Sequence, residues 1–425
     1  MVHAYDVLRD KGTIESKQGS GTRISLRHQR SGQLGEKTVL FPWMHRLTAH
    51  DAASGSLPET IDLSAVAIPA LPTLRKTISS LSDGDWRALT SITGYLPLGL
   101  DELRDAIVVY FEQRGLATSR DQVLVTTGAQ QGLGLISSVL VQTGDVVAVE
   151  DPTYAGAIPV LQDAGAKLLP VPMDHQGMQA GVLREAMQRG SVRLIYTNPT
   201  FHNPTGAVMS GSRRRELAAA AGETGAIIVE GMALADMDLG LDQPPPPIAA
   251  LDSGASVLNI GSMSSLFWTG LRIGWVRGPR SLMFRLGRKK ATVDLGTSLP
   301  DQLVAHHLLQ HLDEVRALRR EQLLERCDLV TGLLERLLPS WTWTRPAGGP
   351  SLWVRLPAGD GREFAQLALR HGVAVLPGPT FSAVEGHADC LRIPFVLEPA
   401  TLEEGVVRLA SAWKGYEEVL RHRAG

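Results

Sequence analysis

Only two cysteines, Cys327 and Cys390, occur in 425 residues. They are too few and too far apart for a disulfide framework or a cysteine-based zinc site. Neither sign of charge dominates: 42 basic residues face 44 acidic ones, so no global field favours nucleic acid. The chain has no apolar leader, no run long enough to span a bilayer and no internal repeat. These absences lead to the expectation of a soluble, cytoplasmic protein with no membrane partner and no metal. A chain of this length makes two domains or one large one. Strand-like runs alternate with helical patterns through the middle, which predicts an α/β fold with a mostly parallel sheet between helices.

The sequence is organised around residues 257–276. Two apolar runs, 257–260 and 273–276, read as short buried strands. Between them lies a serine- and glycine-rich loop ending in Gly270-Leu271-Arg272. Small residues let a backbone approach an anion, hydroxyls donate to it, and arginine grips it bidentately. A second anion-binding element follows the strand Val123–Thr126, where Thr127-Gly128-Ala129-Gln130 opens a helix whose N–H groups and dipole attract negative charge.

Further strands are expected at 146–149, leading to Glu150-Asp151-Pro152-Thr153-Tyr154, and at 194–196, leading to Asn198 and then His202-Asn203-Pro204-Thr205-Gly206. Another spans 226–230, and alternation along it turns Glu230 away from the face that residue 231 presents. Beyond the central loop come a basic helix over 281–292 and one long helix over roughly 299–338. The tail reads as three strands, an edge strand at 348–354 and two more at 372–378 and 391–395, and a last helix from about Glu398.

The central loop resembles the lysine loop of fold-type-I pyridoxal-phosphate (PLP) enzymes, the aspartate aminotransferase superfamily. It is most similar to the aminotransferase-like domain of the MocR group, where that domain follows a winged-helix DNA reader. Gly261, Ser262, Ser264, Gly270, Leu271, Arg272 and Gly274 match the motif, and Ser265 stands where the Schiff-base lysine belongs. The resemblance covers roughly residues 60–420 and implies the PLP-transferase architecture, a large domain over 61–310 and a smaller C-terminal α/β domain over 311–425. Residues 1–35 would then be an arm whose Gln18–Thr22 stretch resembles the wing of the DNA reader, with 36–60 a linker. No recognition helix precedes that wing in the sequence, so DNA reading is not expected.

The resemblance also implies roles. Gly128, Ala129, Gln130, Ser262, Ser264 and Arg272 would hold the cofactor phosphate, helped by Tyr95 of a second copy in a homodimer. Tyr154 would stack on the pyridine ring, Asn203 would donate to its 3′-oxygen, and Arg392 would hold a substrate carboxylate. The aspartate that protonates the ring nitrogen is replaced by Gly231, and the tyrosine two residues on by Ala233. Serine forms no stable imine and is far too weak a base to take an α-proton unaided. Candidate catalytic residues are therefore His202, Ser265 and Tyr154, with Lys289 or Lys290 as a displaced base.

Three functions follow as expectations. The first is an aminotransferase-like enzyme acting on a carboxylate- or phosphate-bearing small molecule, in biosynthesis, without a lysine–PLP aldimine. The second is an enzyme that holds PLP or pyridoxamine phosphate (PMP) non-covalently. The third is a non-catalytic ligand-binding or partner protein.

Overall fold

The structure, a computed structural model, describes residues 60–240, 244–251 and 253–424, together with the strands Ile14–Lys17 (β1) and Gly21–Ile24 (β2). β1 and β2 pair antiparallel and are the described part of a separate unit over 1–57. Most of the arm, with Gln18–Ser20 of the wing-like stretch, and nearly all of the linker lie outside the described residues. The second unit runs from residue 58 onward.

Its first strand, Ile61–Leu63 (β3), joins a small sheet taken up below. The large sheet is built from Val123–Thr126 (β4), Val146–Asp151 (β5), Lys167–Asp174 (β6), Gly177–Met178 (β7), Val192–Thr197 (β8), Ile227–Gly231 (β9), Val257–Ser262 (β10) and Gly274–Arg277 (β11). Their order across the sheet is β4-β11-β10-β9-β8-β5-β6-β7. The pairs from β10 through β9, β8 and β5 to β6 are parallel, while β11 runs antiparallel to both its neighbours and β7 to β6. Strands such as β4 and β10 are buried on both faces, which is why they read as continuous apolar runs rather than alternating ones. Because the parallel strands end on one edge, the segments after β5, β8, β9 and β10 converge there. That edge is where ligands bind in open α/β sheets.

The small sheet adds Thr342–Trp343 (β12), Ser351–Arg355 (β13), Val373–Pro377 (β14) and Cys390–Pro394 (β15), in the order β12-β13-β15-β14-β3. Its core is aromatic: Trp341 meets Phe364 and Trp413 edge-on at centroid distances of 5.5 and 5.4 Å. Two expectations are corrected here. β13 is not an edge strand, since the two-residue β12 pairs outside it. The long helix is also two helices, Leu299–Leu309 and Leu312–Leu337. At the break the N–H groups of Gln310 and His311 reach back only three residues, to His307 and Leu308, so the first helix tightens and ends. No helix among the described residues is long and apolar enough to cross a membrane.

Candidate functional site

At the converging strand ends lies a cavity of about 170 Å³. One end is shaped as a cup between a helix start and a guanidinium. Gly128 caps the helix Ala129–Leu140 with φ +98° and has no side chain to accept from its first turn, so those N–H groups stay available for a ligand. Arg272 crosses over it, Nη2 donating to the Thr127 carbonyl at 3.0 Å and Nη1 to Ser264 Oγ at 3.4 Å. The Arg272 backbone sits at φ +54°, a left-handed conformation that costs a non-glycine residue about 1 kcal/mol or more. Ser262 Oγ accepts from the Ser264 N–H at 3.1 Å, shaping the turn that also presents Ser265 to the cavity.

One wall is Tyr154. Its hydroxyl donates to Gln130 Oε1 at 3.1 Å, and Gln130 Nε2 in turn donates to the Gly156 carbonyl at 2.8 Å, which locks the ring beside the cup. Burial pushes the Tyr154 hydroxyl above its ordinary pKa, opposed by the charges of Arg392 and Arg272. Asn203 also lines the cavity, with a buried Oδ1 that has no hydrogen-bond partner.

The end beyond β10 holds Tyr196, Asn198, Gly231, Ala233 and Leu234. Glu230 points the other way, as strand alternation requires. It accepts from Ile248 N at 3.0 Å and Asn259 Nδ2 at 2.8 Å, and lies 3.8 Å from Arg214 Nη1. The space beside Gly231 is taken: a β-carbon there would lie 2.2 Å from Asn198 Oδ1. Sequence reasoning missed Tyr196 and Asn198. The signal was available, because Asn198 directly follows a buried strand that leads into the Asn203 motif.

Other residues singled out from the sequence stand elsewhere. His202 is fully buried outside the cavity lining, with Nδ1 2.8 Å from Thr205 Oγ1 and Nε2 3.3 Å from Glu150 Oε2. Lys290 is buried too, donating to Asp294 at 2.6 Å and Gln131 at 3.2 Å. Burial pulls its pKa down against the pull of Asp294. Neither it nor Lys289 lines the cavity. Arg392 is buried in the small sheet, where Nη2 donates to the Ser64 carbonyl at 2.5 Å and Nε has no partner. Burial lowers its pKa to about 10. Tyr95 is 70 % exposed. Among the described residues no group of three or more His, Cys, Asp or Glu is placed to hold a metal.

Sheet order and the segments that converge at the strand ends define the fold of the PLP-dependent transferases. The particular family is aminotransferase class I and II: its model matches residues 64–409, and the chain belongs to it. The chain is 36 % identical over 303 residues to the uncharacterized HTH-type transcriptional regulator YdfD of Bacillus subtilis, a match covering 69 % of this chain and 61 % of that protein. It is 32 % identical over 327 residues to aromatic-amino-acid aminotransferase 1 of Thermococcus litoralis, covering 74 % and 78 % of the two chains. Among solved structures, Thermus thermophilus LysN, an α-aminoadipate aminotransferase complexed with N-(5′-phosphopyridoxyl)-L-leucine, superposes with TM-score 0.78 and 28 % identity over 86 % of this chain and 96 % of its own. Pyrococcus horikoshii kynurenine aminotransferase, in complex with PMP, gives 0.77 and 28 % over 88 % and 94 %.

Proposed function

We propose that this chain binds a phosphate-bearing planar small molecule non-covalently, and that binding rather than lysine-dependent transamination is what the site does. The carrying observation is the contrast between the two needs of such chemistry. The cup for an anion is complete, with Gly128 left bare under Arg272. A group that takes or gives a proton near neutral pH is missing from the described lining, whose ionisable side chains are Tyr154, Tyr196 and Arg272. Burial pushes both tyrosines up, away from neutrality. His202, the proton carrier expected from the sequence, lies outside the described lining, with Nδ1 bonded to Thr205 Oγ1 and Nε2 3.3 Å from Glu150 without a hydrogen bond.

PLP or PMP is the natural test ligand, and the residues fit it in part. Gly128, Ala129, Gln130, Ser262, Ser264 and Arg272 would take the phosphate, Tyr154 the ring face and Asn203 a ring oxygen. Ser265 supplies no amine, and Gly231 no carboxylate, so no covalent step through the cofactor follows. The exposed Tyr95 is free to reach a second copy's cup in a homodimer.

A second reading keeps an enzyme that acts on a carboxylate-bearing substrate. It draws on Arg392, a buried cation whose Nε lacks a partner and which would pair a ligand anion. Calorimetric titration of the full chain with PLP and PMP tests the primary reading. Saturable binding that Arg272→Ala abolishes is expected; no binding, or binding indifferent to Arg272, overturns it.

A further inference from the structure

Lys290 is a buried cation that the cavity lining does not include. It stands on the helix Arg280–Val293, and a buried ammonium is stable only when it is paired and hydrogen-bonded. Its partners are the Asp294 carboxylate at 2.6 Å and Gln131 Oε1 at 3.2 Å. Asp294 in turn accepts from Gln131 Nε2 at 2.6 Å and, through its other oxygen, from the Gly296 N–H at 3.0 Å. Both ends of the Gln131 amide are therefore gripped, the oxygen by the ammonium and the nitrogen by the carboxylate. An amide between a fixed donor and a fixed acceptor has one orientation.

That orientation reaches the cup. Gln131 belongs to the first turn of the helix Ala129–Leu140, and its side chain turns back past the helix start. Its Oε1 accepts the Thr127 N–H at 2.9 Å. The carbonyl of the same Thr127 accepts from Arg272 Nη2 at 3.0 Å, while the guanidinium contact with Ser264 Oγ is longer, at 3.4 Å. An ion pair that only joined two helices would have no need of Thr127, which lies outside both of them. An arginine already held before a ligand arrives loses little side-chain freedom on binding.

We propose that Lys290 is a positioning residue for the ligand's phosphate, acting through Asp294, Gln131 and Thr127 on Arg272. The proposal rests on the phosphate-ligand reading and deepens it, because it names what sets the affinity of the cup from outside the cavity. The lysine that the sequence offers as a displaced base serves the site as an anchor instead, its Nζ spent on Asp294 and Gln131. Without it the Gln131 amide is free to turn, the Thr127 backbone loosens, and the guanidinium swings away from the phosphate position. The same loss follows when the Gln131 amide alone is removed and the ion pair stays intact.

The test is calorimetric titration of the full chain with PLP, with inorganic phosphate as competitor, for wild type, Lys290→Met, Gln131→Met and the double variant. Inorganic phosphate has no ring for Tyr154, so it reports on the cup alone. Each single variant should weaken both probes by the same factor, roughly tenfold, the worth of one lost hydrogen bond. The double variant should bind no worse than the weaker single, since both substitutions cut one chain of contacts. Single variants that bind like wild type overturn the proposal, and so do losses that multiply in the double variant or a loss for PLP that phosphate does not share. Each of these leaves the phosphate-ligand reading intact, whereas failure of wild type to bind PLP, or of phosphate to compete for it, overturns both. Gln131→Met keeps the ion pair, so it decides the matter by itself should Lys290→Met fail to fold.

Discussion

A β-carbon on Gly128 would lie 2.9 Å from Nη2 of Arg272, so helix start and guanidinium are fitted to each other with no room to spare. Gly128 also holds φ +98°, which L-residues rarely adopt. Gly128→Ala should therefore displace Arg272 and weaken phosphate-ligand binding at least tenfold, with a stability loss of about 1–2 kcal/mol. Parallel calorimetry and urea melts check both. Unchanged affinity would show that the cup tolerates a shifted guanidinium.

Ser265→Lys places an amine at the cavity wall where Ser265 now stands. With PLP this variant should form an imine that borohydride reduces to a stable adduct at that one residue, read by peptide mass. Fast transamination should not follow, since Gly231 still offers no carboxylate. An amine that stays unmodified would mean that the cup does not hold the aldehyde within reach of residue 265.

Restoring the carboxylate meets an obstacle. The Asn198 amide fills the space beside Gly231, so Gly231→Asp alone must expel it. Gly231→Asp and Asn198→Ala should thus be strongly coupled in a double-mutant cycle of PLP affinity, by about 1–3 kcal/mol. The single Gly231→Asp variant should bind worse than wild type and the double variant better than the single. Additive effects would place the Asn198 side chain elsewhere.

Much of this site was legible because its parts are local. The cup needs small residues and a cation in one loop and a bare helix start in another, and both are written as short strings, Gly128-Ala129-Gln130 and Ser262 to Arg272. The opposite facing of Glu230 and residue 231 followed from strand alternation alone. What stayed hidden was three-dimensional. His202 neighbours Asn203 in sequence, yet its ring lies outside the lining, beside Thr205 and 3.3 Å from Glu150, a residue 52 positions earlier whose strand pairs directly with β8. Asn198 stood in the sequence as the residue leading into the Asn203 motif, but its side chain filling the space beside Gly231 is a contact no spacing encodes. The break at Gln310 and His311 lacks proline or glycine, so periodicity ran through it.

Glu230 carries a stability prediction with a sign. Burial raises its pKa, against Arg214, the Ile248 N–H and Asn259, which favour the ionised form. A raised value means that the folded chain binds this proton more tightly than the unfolded one. Its contribution is therefore largest at low pH and is lost as pH rises from the usual carboxylate range through the raised value. Melts of wild type and Glu230→Gln between about pH 4 and about pH 8 should show the wild type losing ground to the variant as pH rises. A wild type that gains ground would reverse the sign of the shift.

The central claim, a phosphate-ligand site with no covalent anchor, is tested most directly by mixing the wild-type chain with PLP, reducing with borohydride and weighing the intact protein, alongside Arg272→Ala. The account predicts a saturable absorbance change that requires Arg272, with no mass adduct that depends on Arg272. An Arg272-dependent adduct on the wild-type chain would reveal a lysine serving the cavity, and the absence of any Arg272-dependent binding would remove the site itself; either result contradicts the account.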